Sequence, residues 1–300
     1  ARSSCTNNLR QLGLAAQNYS SKTNKLPPGI AHPFSNSGTP RYSSLFIELL
    51  PELENDSIVT QWNFTSPNTN AMSGAVIKTL VCPVSGISQN PISFGSQSIA
   101  LSSYAGNGGS RSFPLALATF DGIFHAVGPN ATTNPILAQK AILVEMDNIP
   151  DGTSNTIMFG ERNIGDSAFD SWQKATITPA PTPPLTSFSS ICAWSAPATN
   201  TNPQYSYAIG SVTISAYGGI NQGVSQPYIP PAPPLPMTPT TWDSIKDMLW
   251  TRVCGFGSNH VGGCLVCTAD GAVRFMRTET NQQVLNALCT RNGREAIGDW

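Results

Sequence analysis

The segment Gly257-Ser258-Asn259-His260-Val261-Gly262-Gly263-Cys264-Leu265-Val266-Cys267-Thr268-Ala269-Asp270-Gly271-Ala272-Val273-Arg274-Phe275 constrains the fold more than any other part of the chain. An apolar run, an Asp-Gly pair and a second apolar alternation spell a β-hairpin, because Asp and Gly tolerate the backbone angles of a tight turn. Nine residues separate His260 from Asp270. If that stretch is extended, ten steps at about 3.3 Å put the two roughly 30 Å apart, so they cannot form a catalytic dyad along one straight strand. Asp270-Gly271 is therefore read as the turn. His260 is read as hydrogen-bonding a nearby loop or a carboxylate such as Glu161.

The same region holds Cys254, His260, Cys264 and Cys267 in a C-x5-H-x3-C-x2-C order that suggests zinc. Within a strand, however, Cys264 and Cys267 point to opposite faces, and Leu265-Val266 is a poor turn. Neither a zinc knuckle nor a disulfide between those two fits that geometry. The chain has seven cysteines: Cys5, Cys82, Cys192, Cys254, Cys264, Cys267 and Cys289. In an oxidising compartment they allow up to three disulfides with one thiol left over.

Upstream, Cys5, Leu9, Leu12, Ala16 and Tyr19 recur at helical spacing, with Asn7, Asn8, Arg10, Gln11 and Asn18 mostly off the stripe. This predicts an amphipathic helix over residues 1–22, stopped by Leu26-Pro27-Pro28-Gly29. A short helix fits residues 43–55, broken or kinked at Pro51, and residues 75–82 read as a buried segment. From about residue 95 the chain reads as short strands between turns. Ser103-Tyr104-Ala105-Gly106-Asn107-Gly108-Gly109 is a strand entering a Gly-rich loop, and Asp121-Gly122-Ile123-Phe124 starts another. Asp151-Gly152-Thr153-Ser154-Asn155-Thr156 is a turn leading into a buried strand over residues 157–161. Residues 177–240, dense in Pro, Ser and Thr, read as a partly polyproline insertion with one strand near residues 210–216. A helix over residues 281–290 follows the hairpin.

Only 11% of the 300 residues are charged and the net charge is −1, against about 25% charged in an average domain. No nucleic-acid footprint is present. Polarity comes from Ser, Thr, Asn and Gln, with 25 Gly and 25 Pro. Such a surface suits an exported protein and tolerates self-association. No apolar run is long enough to span a membrane. The chain opens without Met inside what already reads as a helix, so a preceding segment is expected.

Taken in order, Cys5-Thr6-Asn7-Asn8-Leu9-Arg10-Gln11-Leu12-Gly13-Leu14, Leu26-Pro27-Pro28-Gly29, Leu49-Leu50-Pro51-Glu52-Leu53-Glu54 and Cys82-Pro83 form one part of a pattern. Tyr104-Ala105-Gly106-Asn107-Gly108-Gly109, Asp121-Gly122-Ile123-Phe124, the Asp151 turn and His260…Asp270-Gly271 complete it. As a set they resemble the H-x9-DG prepilin-like proteins of Planctomycetes, which are also labelled a domain of unknown function or a family-10 extracellular solute-binding domain. The resemblance implies an α+β, pilin-like fold: an N-terminal helix (residues 1–22) packed on an antiparallel β-sheet within a globular domain (23–300). It implies a prepilin leader and a hydrophobic helix continuous with residues 1–20, through which alone the chain would meet a membrane. It also supports a Cys5–Cys82 disulfide tying helix to domain. This chain departs from the pattern in lacking the hydrophobic half and in its long 177–240 insertion.

These readings converge on a secreted or cell-surface structural subunit that self-associates into a filament, pilus-like appendage or coat. The alternative is an extracellular module binding glycans or small solutes in a cleft between sheet and insertion, with Trp172, Trp194, Trp242 and Trp250 as stacking faces. Enzymatic activity is not expected: there is no Gly-x-Ser-x-Gly elbow, and no serine is paired with a base. No cofactor is expected apart from calcium. For it Asp121, Asp147, Asp151 and Asn155 offer oxygens, as loops of some pilin relatives do, though without EF-hand spacing. Asp151-Gly152 with Asn155 also reads as a self-satisfied Asx turn. Four Asn-x-Ser/Thr triplets, at Asn18, Asn55, Asn63 and Asn130, match the glycosylation pattern.

Overall fold

The computed structural model describes residues 1–34, 41–65, 70–128, 143–181, 185–196, 208–226 and 241–295. The Asn130 triplet and the Ile229-Pro230-Pro231-Ala232-Pro233-Pro234 run lie outside them. Helix α1 (Arg2–Thr23) opens the chain. Among the described residues ten strands follow: β1 (Ile30–Phe34), β2 (Arg41–Ser44), β3 (Ile92–Phe94), β4 (Gln97–Ile99), β5 (Tyr104–Asn107), β6 (Ala126–Val127), β7 (Ile157–Glu161), β8 (Thr213–Ile214), β9 (Gly263–Thr268) and β10 (Val273–Arg277). The fold is α+β. Its centre is a five-stranded sheet in the order β10-β9-β7-β5-β8, antiparallel except at the β5–β8 edge.

The predicted stripe places α1 on that sheet. Cys5, Leu9, Leu12, Ala15 and Ala16 are buried against it, and Tyr19 is half-buried. Each large side chain buried this way contributes about 1.5–3 kcal/mol. Gly13 sets the closeness of approach, since a Cβ there would come within 2.8 Å of the Cys267 Sγ. Asn24 ends the helix in the left-handed conformation (φ 60°), where Asn is tolerated.

Strand β9 is buried along its whole length because both faces of the sheet are covered. Leu265, Cys267 and Ala269 belong to the core under α1. Cys264 and Val266 face the opposite core, which includes Leu285, Leu288 and Cys289 of the helix Gln282–Cys289. The period-two alternation that argued against pairing Cys264 with Cys267 is thus realised. A third core gathers Phe169, Phe188, Ile191 and Trp172 around the helix Trp242–Cys254.

Three expectations need correction. The Asp121-Gly122-Ile123-Phe124 segment forms no strand; the next strand is β6, at residues 126 and 127. There Asp121 bonds the Gly-rich loop after β5, accepting from the Ser110 N–H at 2.8 Å and from the Ser110 and Thr119 hydroxyls, each at 2.6 Å. The 177–240 region is less of an insertion than expected: besides the anticipated strand, found as β8, its described residues supply Phe188, Ile191, Trp194 and Val212 to the cores. Finally, the only disulfide among the described residues is Cys5–Cys82. Cys192, Cys254, Cys264, Cys267 and Cys289 are free, buried thiols, and burial pushes every one of them away from thiolate, Cys267 to about 12. Buried among apolar neighbours, they behave as small hydrophobic side chains.

Candidate functional site

The hairpin's two ends are built differently. At the far end, Gly271 takes φ +86° and the Asp270 carboxylate accepts the Ala272 N–H at 3.0 Å and the Thr268 hydroxyl at 2.5 Å. This turn docks on the Asp151 turn through two backbone bonds, Ala269 N–H to Thr156 O and Asp270 N–H to Thr153 O. From α1, Gln17 donates to the Ala269 carbonyl at 3.0 Å. Asp151 in turn accepts the Gly293 and Arg294 N–H groups at 2.7 and 2.8 Å, while the Asn155 amide donates to the Asp151 carbonyl. Asp270, Gly271, Asp151, Gly152 and Asn155 therefore work together as interlocked turns. Among the described residues, no grouping of three or more His, Cys, Asp or Glu ligand atoms includes Asp121, Asp147 or Asp151.

At the near end, His260 sits in the loop before β9, its backbone N–H bonded to the Ser258 hydroxyl. Its ring turns inward, with only 6% of the side chain exposed, while the next residue, Val261, is 91% exposed. The ring Nε2 lies 3.3 Å from Glu161 Oε1 and 3.9 Å from the Cys82 Sγ. Glu161 is the carboxylate that His260 faces, as anticipated, but the expected hydrogen bond between them is not made. What the sequence reading did not bring together is the disulfide: Cys5, Cys82, Glu161 and His260 place their ligand atoms within 4.8 Å of one another.

Each member is positioned by a different element. Cys5 comes from the first turn of α1 and Glu161 from the end of β7. Cys82 lies on a segment stitched to its neighbours: its N–H donates to the Ser103 hydroxyl, Asn8 of α1 donates to the Val81 carbonyl, and Asn259 to the Val84 carbonyl. The Glu161 backbone carbonyl accepts the Gly257 N–H and its Oε2 accepts the Leu265 N–H at 2.8 Å. Its Oε1 is buried without a hydrogen-bond partner, because the His260 nitrogen is near but out of line.

Burial dominates the electrostatics. It lifts Glu161 to about 7, against smaller opposing effects of the Leu265 N–H, the Ser258 hydroxyl and the Arg2 charge. It also lowers His260, assisted by Arg2 and the N-terminal amino group. At neutral pH the ring is therefore uncharged and the carboxyl is about half protonated, so the contact is not an ordinary ion pair. Arg2 itself rests over the Phe275 ring, 4.1 Å from its centroid.

The remaining candidates are structural. His125 is fully buried and depressed to about 3, first by burial and then by Arg291, with its Nε2 3.0 Å from the Gly122 carbonyl. Trp194, Trp172, Trp242 and Trp250 are all buried, and the first two donate to the Ala75 and Ser225 carbonyls. They cannot serve as stacking faces for sugar. Arg162, which motif reading missed, is fully buried and donates to the Gly210, Ser211 and Val253 carbonyls, the last near the C-terminal end of the Trp242–Cys254 helix. A helix terminus of that polarity favours a cation.

A family model described as "Protein of unknown function (DUF1559)", SBP_bac_10, matches residues 1–283, and the chain belongs to that family. No curated protein and no solved structure matches the chain.

Proposed function

We propose that the chain is a pilin-like structural subunit, secreted or held at the cell surface, that self-associates into a filament, pilus-like appendage or coat. The observation that carries this reading is the Cys5–Cys82 bond, which joins the first turn of α1 to the globular domain. A helix laid along an antiparallel sheet and covalently fixed near its start transmits tension into the domain without peeling away. The sparse charge and the polar outer face of α1, with Asn7, Arg10, Gln11 and Asn18, suit close packing of copies. No helix among the described residues is long and apolar enough to cross a membrane.

Negative-stain microscopy of native secreted material tests this. Ordered polymers are expected; monodisperse particles at all concentrations would contradict it.

A second reading has its own observation. A cleft of about 420 Å³ is lined by Gln17, Ser20, Ser21, Asn24, Glu145, Met146 and Asp147. It lies at the C-terminal half of α1, not between the sheet and the Pro-rich region. Its polar lining and two carboxylates suit a small polar or cationic solute, in keeping with the solute-binding label of the family. Calorimetric titration of monomeric protein with polyamines and oligosaccharides would favour it if saturable binding appeared.

A further inference from the structure

We propose that, in its dithiol form, the protein binds a zinc-like divalent cation through Cys5, Cys82, Glu161 and His260, and that the disulfide is the metal-free, oxidised state of the same site. The donor set is two sulfurs, one imidazole nitrogen and one carboxylate oxygen, all of kinds that zinc accepts. Ligands held tetrahedrally about 2.0–2.3 Å from zinc lie roughly 3.3–3.8 Å from one another. Here His260 Nε2 stands 3.3 Å from Glu161 Oε1 and 3.9 Å from Cys82 Sγ, and all four ligand atoms fall within 4.8 Å.

A second observation points into the same space. Glu161 Oε1 is buried, in a side chain 2% exposed, and has no hydrogen-bond partner. A buried oxygen without a partner costs about 1–3 kcal/mol, and a cation bonded to it removes that cost. Burial also accounts for the raised Glu161 and lowered His260, a deprotonation cost and a gain respectively when the ion arrives. Two thiolates and a carboxylate around a divalent ion leave one negative charge, and Arg2 bears electrostatically on this site.

The chemistry balances with an external dithiol. It gives two electrons and two protons to the Cys5–Cys82 bond, which breaks to two thiols while the reductant closes its own disulfide. When the ion binds, both thiol protons and any proton on Glu161 pass to water. Two sulfur–metal, one nitrogen–metal and one oxygen–metal bonds form.

Cobalt(II) is the probe, added to the reduced full chain and followed by absorption, with zinc as competitor. One equivalent is expected to give sulfur-to-cobalt charge transfer and tetrahedral ligand-field bands that zinc abolishes. The oxidised protein should give neither. His260→Ala and Glu161→Gln, both able to fold with the disulfide in place before reduction, should each weaken binding at least about tenfold. Equal bands in the oxidised protein, or unchanged affinity in the double variant, would assign the metal to other thiols and overturn the site. If reduction unfolds the chain, as circular dichroism would reveal, stoichiometric zinc must restore the native spectrum; failure to do so overturns it as well.

Discussion

The two ends of β9 share one motif but not one kind of chemistry. At the Asp270-Gly271 end every polar group named above has a partner, supplied by neighbouring turns and by Gln17 of α1. At the His260 end a disulfide, a carboxylate and an imidazole crowd together under a surface loop, and one carboxylate oxygen has no partner. The comparison teaches that a recurring spacing need not mark one site. The six-residue strand β9 separates a closed structural joint from a buried cluster with an unpartnered carboxylate oxygen.

Removing the disulfide should break the comparison most severely. By the loop-closure relation, a bond spanning 77 residues in sequence stabilises the fold by about 4 kcal/mol. Cys5→Ser with Cys82→Ser should lose that much in urea unfolding. Amide exchange should also accelerate at Leu265, near the His260 end, before it does at Ala269 and Ala272.

The next effect is pH-dependent and is read at Glu161 of the His260 end. Glu161 rises from the ordinary carboxyl value of 4.5 to about 7 in the folded protein. The folded state thus holds its proton more tightly than the unfolded chain does. The associated stability is fully present below about pH 4.5 and is lost as the pH climbs through 7, a change of about 3 kcal/mol. The groups facing this carboxyl are His260, Ser258, Arg2 and the Leu265 N–H. Burial lowers His125 and His260, which makes stability rise with pH over part of the same range. The loss is therefore read as the difference between the unfolding free energies of wild type and Glu161→Gln, which should fall by about 3 kcal/mol from about pH 4 to pH 8.

The Asp270 end should respond more modestly. Gly271→Ala forces a side chain into φ +86° and should cost about 1–2 kcal/mol. Asp270→Ala removes the bonds from Ala272 and Thr268 and should cost about 1 kcal/mol. Chemical denaturation of both variants checks these values.

The hairpin, α1 and the helix after β10 were legible in the sequence because each carries its own period or turn residues. The Cys5 stripe named the buried face of α1, and strand alternation separated Cys264 from Cys267. Less legible was whatever depends on long-range contact. Asp121 resembled a strand start, yet its carboxylate is engaged by the Ser110 loop. The four tryptophans offered binding faces only as the rarer alternative, and tertiary packing buries them, the commoner outcome for tryptophan. The 177–240 composition disguised the core residues Phe188, Ile191 and Trp194, although the strand near residues 210–216 was legible as β8. At the candidate site the Glu161–His260 pairing and the Cys5–Cys82 bond were each anticipated, the latter through family resemblance. Their meeting at one point was not, since no local spacing links residues 5, 82, 161 and 260.

The central claim is that the His260 end is a dry pocket around the disulfide, not a solvated loop. Carbon-13 NMR of the Glu161 side-chain carboxyl in the oxidised protein, assigned with Glu161→Gln, tests it most directly. A titration midpoint of about 7 is expected; one at the ordinary value of 4.5 would contradict the burial of this carboxyl.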